Sequence, residues 1–94
     1  MNLPSIVKVE FKSTGAAQEV EIGFTPARVE IINKTSGLRL IATKGAAKDV
    51  LEAAAAISHP DTVVTYPSAT KVKLAAEATV LAASAECVLL AYRG

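Results

Sequence analysis

Apolar and polar positions alternate with a period of two from near the start of the chain. Val7, Val9 and Phe11 fall on one side and Lys8, Glu10 and Lys12 on the other, as in a strand with one wet face. Ser13-Thr14-Gly15-Ala16 interrupts the pattern as a turn, and Glu19-Val20-Glu21-Ile22 resumes it. The short connection makes an antiparallel hairpin of these two strands the economical expectation. Gly23-Phe24-Thr25-Pro26 follows: Gly23 accepts backbone angles closed to other residues, and Pro26 biases Thr25 away from helix. It leads into Val29-Glu30-Ile31-Ile32, a β-branched strand that ends in the turn formers Asn33-Lys34-Thr35-Ser36-Gly37. Leu38 to Thr43 is the next strand. Ile32 and Ile41 break the alternation on neighbouring strands, each placing a large apolar group on the polar face. Such a surface is either covered by a later segment or meets another subunit.

The middle of the chain changes character. From Gly45 to Ile57 alanine dominates, and Val50, Ala54 and Ile57 sit at helical spacing, so the pattern predicts a short helix or helical turn around residues 46–57, ended by Ser58-His59-Pro60. Strands return at Thr62 to Tyr66 and Thr70 to Leu74, with a weaker one at Ala78 to Leu81. The last, Glu86 to Arg93, is apolar on both faces and is expected to be central in its sheet or covered by a neighbour. The predicted fold is mainly β: a single-domain antiparallel β-sandwich or small barrel, with residues 1–5 as an extended N-terminal arm.

Composition sharpens this picture. A chain of 94 residues suits one domain with one core, and 51% hydrophobic with 20% charged residues is globular composition. Aromatics are 4%, with no Trp, so the core is built from Val, Ile, Leu and Ala, each contributing little area; oligomeric contacts would make up the shortfall. A net charge of +1 leaves no basic stripe for phosphates, which argues against nucleic acid. The lone Cys87, in an apolar run, reads as a buried inert thiol and suits a reducing compartment. No signal peptide is visible at the N-terminus, and no apolar run approaches the length of a bilayer span.

Candidate chemistry is sparse. Ser58, His59 and Asp61 are a triad in composition only, because neighbours in a turn do not converge as nucleophile, base and orienting acid. One His and one Cys, far apart, do not make a structural zinc site. Glu19 and Glu21 share a strand face, where a bridging calcium ion is conceivable, but solvated charge is the plainer reading. Lys44-Gly45 lacks the rest of a phosphate loop. The residues thus predict neither an enzyme nor a cofactor.

The turn Gly23-Phe24-Thr25-Pro26, the strand Val29-Glu30-Ile31-Ile32-Asn33 and the closing strands ending in Ala91-Tyr92 resemble small accessory virion proteins of tailed bacteriophages. The alanine-rich middle departs from that family's polar one. The resemblance implies a capsid decoration (cement) protein: non-enzymatic, assembled in the host bacterial cytoplasm, and bound outside the lattice of the major capsid protein. It also implies a homo-oligomer, commonly a trimer, with no nucleic-acid or membrane partner. Interface candidates are Ile32, Ile41 and Leu89, with Leu3 and Pro4 in the N-terminal arm. Two alternatives stand beside it: a tail, fibre or head–tail component, and a cytosolic ligand-binding β-domain with its pocket near Tyr66 and His59.

Overall fold

The opening alternation does form a strand, β1 (Ile6–Lys12), but its partner is the far end of the chain. In this computed structural model, which describes residues 6–45, 48–52, 57–58, 63–76, 80–82 and 84–93, the further strands are β2 (Gln18–Glu21), β3 (Arg28–Asn33), β4 (Arg39–Thr43), β5 (Val50–Glu52), β6 (Ile57–Ser58), β7 (Val64–Thr65), β8 (Lys71–Leu74) and β9 (Glu86–Tyr92). They make two antiparallel sheets. One is six-stranded in the order β1-β9-β3-β4-β5-β6, the other three-stranded in the order β2-β8-β7, and the two do not close into a barrel.

One core is shared by both sheets. Val29, Ile31, Leu40, Leu51, Cys87, Leu89 and Ala91 from the larger sheet meet Val20, Val64, Val72 and Leu74 from the smaller. These are the alternate positions of each strand, as a period of two demands. Most are Val, Leu or Ile, each worth roughly 1.5–3 kcal/mol when fully buried. Phe11, Phe24 and Tyr66 pack at its margin. Tyr92 does not: it lies on the opposite face of β9 from Leu89 and Ala91.

Several expectations need correction. β1 and β2 are not a hairpin, since β1 pairs with β9 and β2 with β8. Both β1 and β2 are period-two strands, and which strand each pairs with is set by the burial of β9, a non-local matter. The helix around residues 46–57 is also overturned in the part described, residues 46–47 and 53–56 lying outside the described residues. Val50–Glu52 pairs with β4 and Ile57–Ser58 pairs with β5, extending the sheet. A helix of about a dozen residues has little stability of its own. Pairing puts Leu51 beside Leu40 inside the core and lets Arg39 reach Glu52, so tertiary contacts override alanine's propensity. The weak strand expected at Ala78 to Leu81 is not one either: Val80 and Leu81 form a buried turn, and residues 78 and 79 lie outside the described residues. The arm at residues 1–5 likewise lies outside them.

Three buried polar side chains pin the connections. Asn33 donates from Nδ2 to the Val80 carbonyl (2.8 Å), while its Oδ1 accepts from the backbone N–H groups of Thr35 (2.9 Å) and Ser36 (3.0 Å). It therefore closes the β3–β4 turn, where Gly37 has φ +81°, and anchors the turn before β9. Asp49 accepts at Oδ2 from the N–H groups of Val63 (2.7 Å) and Val64 (3.2 Å), tying the start of β5 to β7 in the other sheet. Ser13, at the end of β1, donates from its hydroxyl to the Ala82 carbonyl, and its N–H reaches the Ala85 carbonyl (2.9 Å).

Removing Asp49 leaves two buried N–H groups without an acceptor. Asp49→Ala is expected to lower stability by about 2–3 kcal/mol in urea unfolding, with Asp49→Asn closer to the native value. Asn33→Asp keeps the turn acceptor but loses the donor to Val80. It also sets a buried carboxylate oxygen against the Val80 carbonyl, so at neutral pH it is expected to cost at least as much as Asn33→Ala, whose loss is about 1–3 kcal/mol by the same measurement.

Candidate functional site

The two sheets present unlike outer faces. On the smaller sheet the outward positions are Glu19, Glu21, Thr65, Lys71 and Lys73, with Glu19 opposite Lys73 and Glu21 opposite Lys71. Glu19 also lies 3.9 Å from the Lys71 ammonium. Lysines therefore neutralise the face on which a calcium ion was conceivable. Lys71 and Lys73 sit on the middle strand, not on an edge. This is a solvated charge lattice.

The larger sheet turns a half-apolar surface outward. Its strand register sets the side chains in rows: Ile6, Tyr92, Arg28 and Thr43; then Lys8, Leu90, Glu30, Ile41 and Val50; then Glu10, Val88, Ile32, Arg39, Glu52 and Ile57. Leu90, Val88, Ile32, Ile41 and Val50 make a continuous apolar band across four strands. Ile6 is 48% exposed and Ile57 63% exposed at its two flanks. The charged groups among them are tied to one another. Arg39 donates from Nε to Glu52 (2.7 Å) and approaches Glu30 (3.7 Å), and Arg28 stacks over the Tyr92 ring (4.1 Å). Glu52, by hydrogen bond and then by charge, holds the Arg39 guanidinium above its ordinary pKa. Glu30 and Arg39 lie within the apolar band, so this face interleaves apolar groups with a cluster of internally paired charges.

The interface candidates divide accordingly. Ile32 and Ile41 are brought together on this face, one residue row apart on adjacent strands. Leu89 is not on it: it is 0% exposed within the core of a single chain, so it offers nothing to a neighbour. On a strand covered on both faces, sequence alternation does not say which face is inward, and Leu90, its neighbour, is the outward residue. Tyr92, Val50 and Ile57 belong to the surface as well and were missed. Val50 and Ile57 were hidden by the helical reading of their segment. Leu3, Pro4 and His59 lie outside the described residues.

Groups with chemical potential are taken up by structure. Among the described residues no three of His, Cys, Asp and Glu cluster as a metal site would require. Among the described residues no helix is long and apolar enough to cross a membrane, a statement that leaves strands aside. Cys87 is buried with its thiol toward the Val80 carbonyl (3.8 Å), and burial pushes its pKa up. The Tyr66 hydroxyl is buried without a hydrogen-bond partner among the described residues; burial first, and the Asp49 charge second, raise its pKa.

Both shifts have the same sign. The unfolded chain releases these protons near the ordinary values of 9.0 for Cys and 10.0 for Tyr, whereas the folded chain retains them to higher pH. Their contribution to stability is complete below about pH 9 and is lost as pH rises further. The urea midpoint should be flat from neutrality to that point and then fall, and Cys87→Ala with Tyr66→Phe should flatten the fall. Thiol labelling of native protein should proceed only at the rate of opening.

No family model, no curated protein and no solved structure matches this chain in sequence or fold.

Proposed function

We propose that this chain is a non-enzymatic structural protein, a β-sandwich that binds the outside of a tailed-phage capsid and stabilises the lattice of major capsid subunits. The observation that carries the reading is the unequal treatment of its two outer faces. One is a neutral lattice of paired charges suited to water; the other carries a half-buried apolar band flanked by the exposed Ile6 and Ile57, apolar area suited to cover by a partner. The phage-like turn and strand, Gly23 to Asn33, place that band in a chain whose pattern resembles virion accessory proteins. A domain that binds only the assembled lattice stabilises it by mass action, so no catalytic group is required. In this reading Ile32 and Ile41 meet the capsid subunit, with Arg39 and Glu30 between them as a paired charge cluster.

The test begins with gradient-purified particles of the encoding phage. Mass spectrometry is expected to find the chain in numbers comparable to the major capsid subunit. A few copies per particle would point to a tail or head–tail component, and absence would refute the virion reading. Added back to particles stripped of it, the Ile41→Lys variant should bind at least about tenfold more weakly than the native chain. Its urea stability should change by no more than about 0.5 kcal/mol, as at other surface sites. Equal binding of the two would remove this face from the interface.

A further inference from the structure

The open edge of the larger sheet holds a second, separate message. β1 is seven residues long, forms the edge of the six-stranded sheet, and is paired on one side only among the described strands. Which of its backbone groups point outward follows from the ladder. Ala27 and Lys34 donate their N–H groups to the carbonyls of Tyr92 and Glu86, so the even-numbered residues of β9 face β3. Its odd-numbered residues therefore face β1, and the bond from Ser13 N–H to the Ala85 carbonyl continues that ladder. The register pairs Val7, Val9 and Phe11 with Ala91, Leu89 and Cys87. Hence Ile6, Lys8, Glu10 and Lys12 direct their N–H and C=O groups to the open side.

We infer that β1 pairs antiparallel with β1 of a second copy about a two-fold axis at Val9, joining two six-stranded sheets into one. The charge pattern selects both occupant and register. With Val9 opposite Val9 of the second copy, Lys8 faces Glu10 and Glu10 faces Lys8, so each ammonium meets a carboxylate twice over. On the inner face Val7 meets Phe11, extending over side chains that one copy leaves only half-buried. All seven residues of each strand overlap. A slip of one pleat in either direction sets Lys8 against Lys8, or Glu10 against Glu10. The bonded pairs in this register are the even-numbered ones, whose backbone groups point outward. An edge lysine normally discourages pairing; here each is matched by a glutamate two residues along. Within one chain Glu10 lies 3.5 Å from Lys8 and 3.8 Å from Lys34, loose exposed contacts that leave it room to meet Lys8 of the second copy across the junction.

This inference does not rest on the capsid reading and is tested without particles. Sedimentation equilibrium of the full chain over a range of concentrations is expected to show a monomer–dimer equilibrium. Lys8→Glu and Glu10→Lys should each weaken the dimer by roughly tenfold or more, with unchanged circular dichroism. An equimolar mixture of the two variants sets two glutamates against two lysines and should restore association. A native-folded monomer at every concentration would overturn the inference. So would a trimer, because a two-fold contact of identical patches does not close a three-fold ring. A dimer indifferent to both substitutions, or one that mixing fails to restore, would overturn it equally.

Discussion

The structure depends on β9 being held between β1 and β3. Its two faces are both apolar, and its two edges are both bonded: to Val7, Val9 and Phe11 on one side, and to Arg28, Glu30 and Ile32 on the other. Cys87, Leu89 and Ala91 enter the core. With no room for an aromatic anchor, this small-residue core gains its energy from complete burial, and complete burial requires the last strand to be in place. The ladder also joins the first described strand to the last. Contacts so distant in sequence carry a high loop-closure cost and make the sheet a late, cooperative product of folding.

The buried polar side chains serve the same end. Ser13, Asn33 and Asp49 are nearly inaccessible, and each binds backbone groups of a segment remote in sequence. Ser13 and Asn33 converge on residues 80–85, the turn that delivers the chain into β9. Asp49 fastens the larger sheet to β7. A buried hydrogen-bonding group left unmatched is costly, so these pins are selective as well as stabilising. They hold irregular connections that alternation alone leaves undetermined.

With the core thus closed, what the larger sheet leaves outside gains its meaning. Its outer face and its free edge are different kinds of surface. The face has apolar area with paired charges set among it, suited to a partner of another shape. The edge has backbone unpaired among the described residues and a charge pattern complementary to itself, suited to a copy of its own chain. The two do not compete, because pairing along an edge leaves the face of the sheet open. In the readings proposed above the chain binds its like and its target together, and doubled attachment raises avidity without any new contact.

Much of this was legible in the residues. Period two placed β1, β2, β3, β4, β8 and β9 within a residue or so, because side-chain alternation is a property of each strand alone. The turn at Asn33 to Gly37, and the position of β9 inside its sheet, followed from turn chemistry and from its apolar character. Ile32 and Ile41 were visible as surface residues because they broke a local pattern. Which strands pair was not legible: β1 is adjacent in sequence to β2 but joins β9, since pairing is decided by burial across the whole chain. Nor was the fate of Val50 to Glu52, where alanine's intrinsic preference, a few tenths of a kilocalorie per residue, was outweighed by pairing with β4. Leu89 was misplaced for a related reason: an all-apolar strand carries no inward mark, and only the packed sheet says which side faces the core.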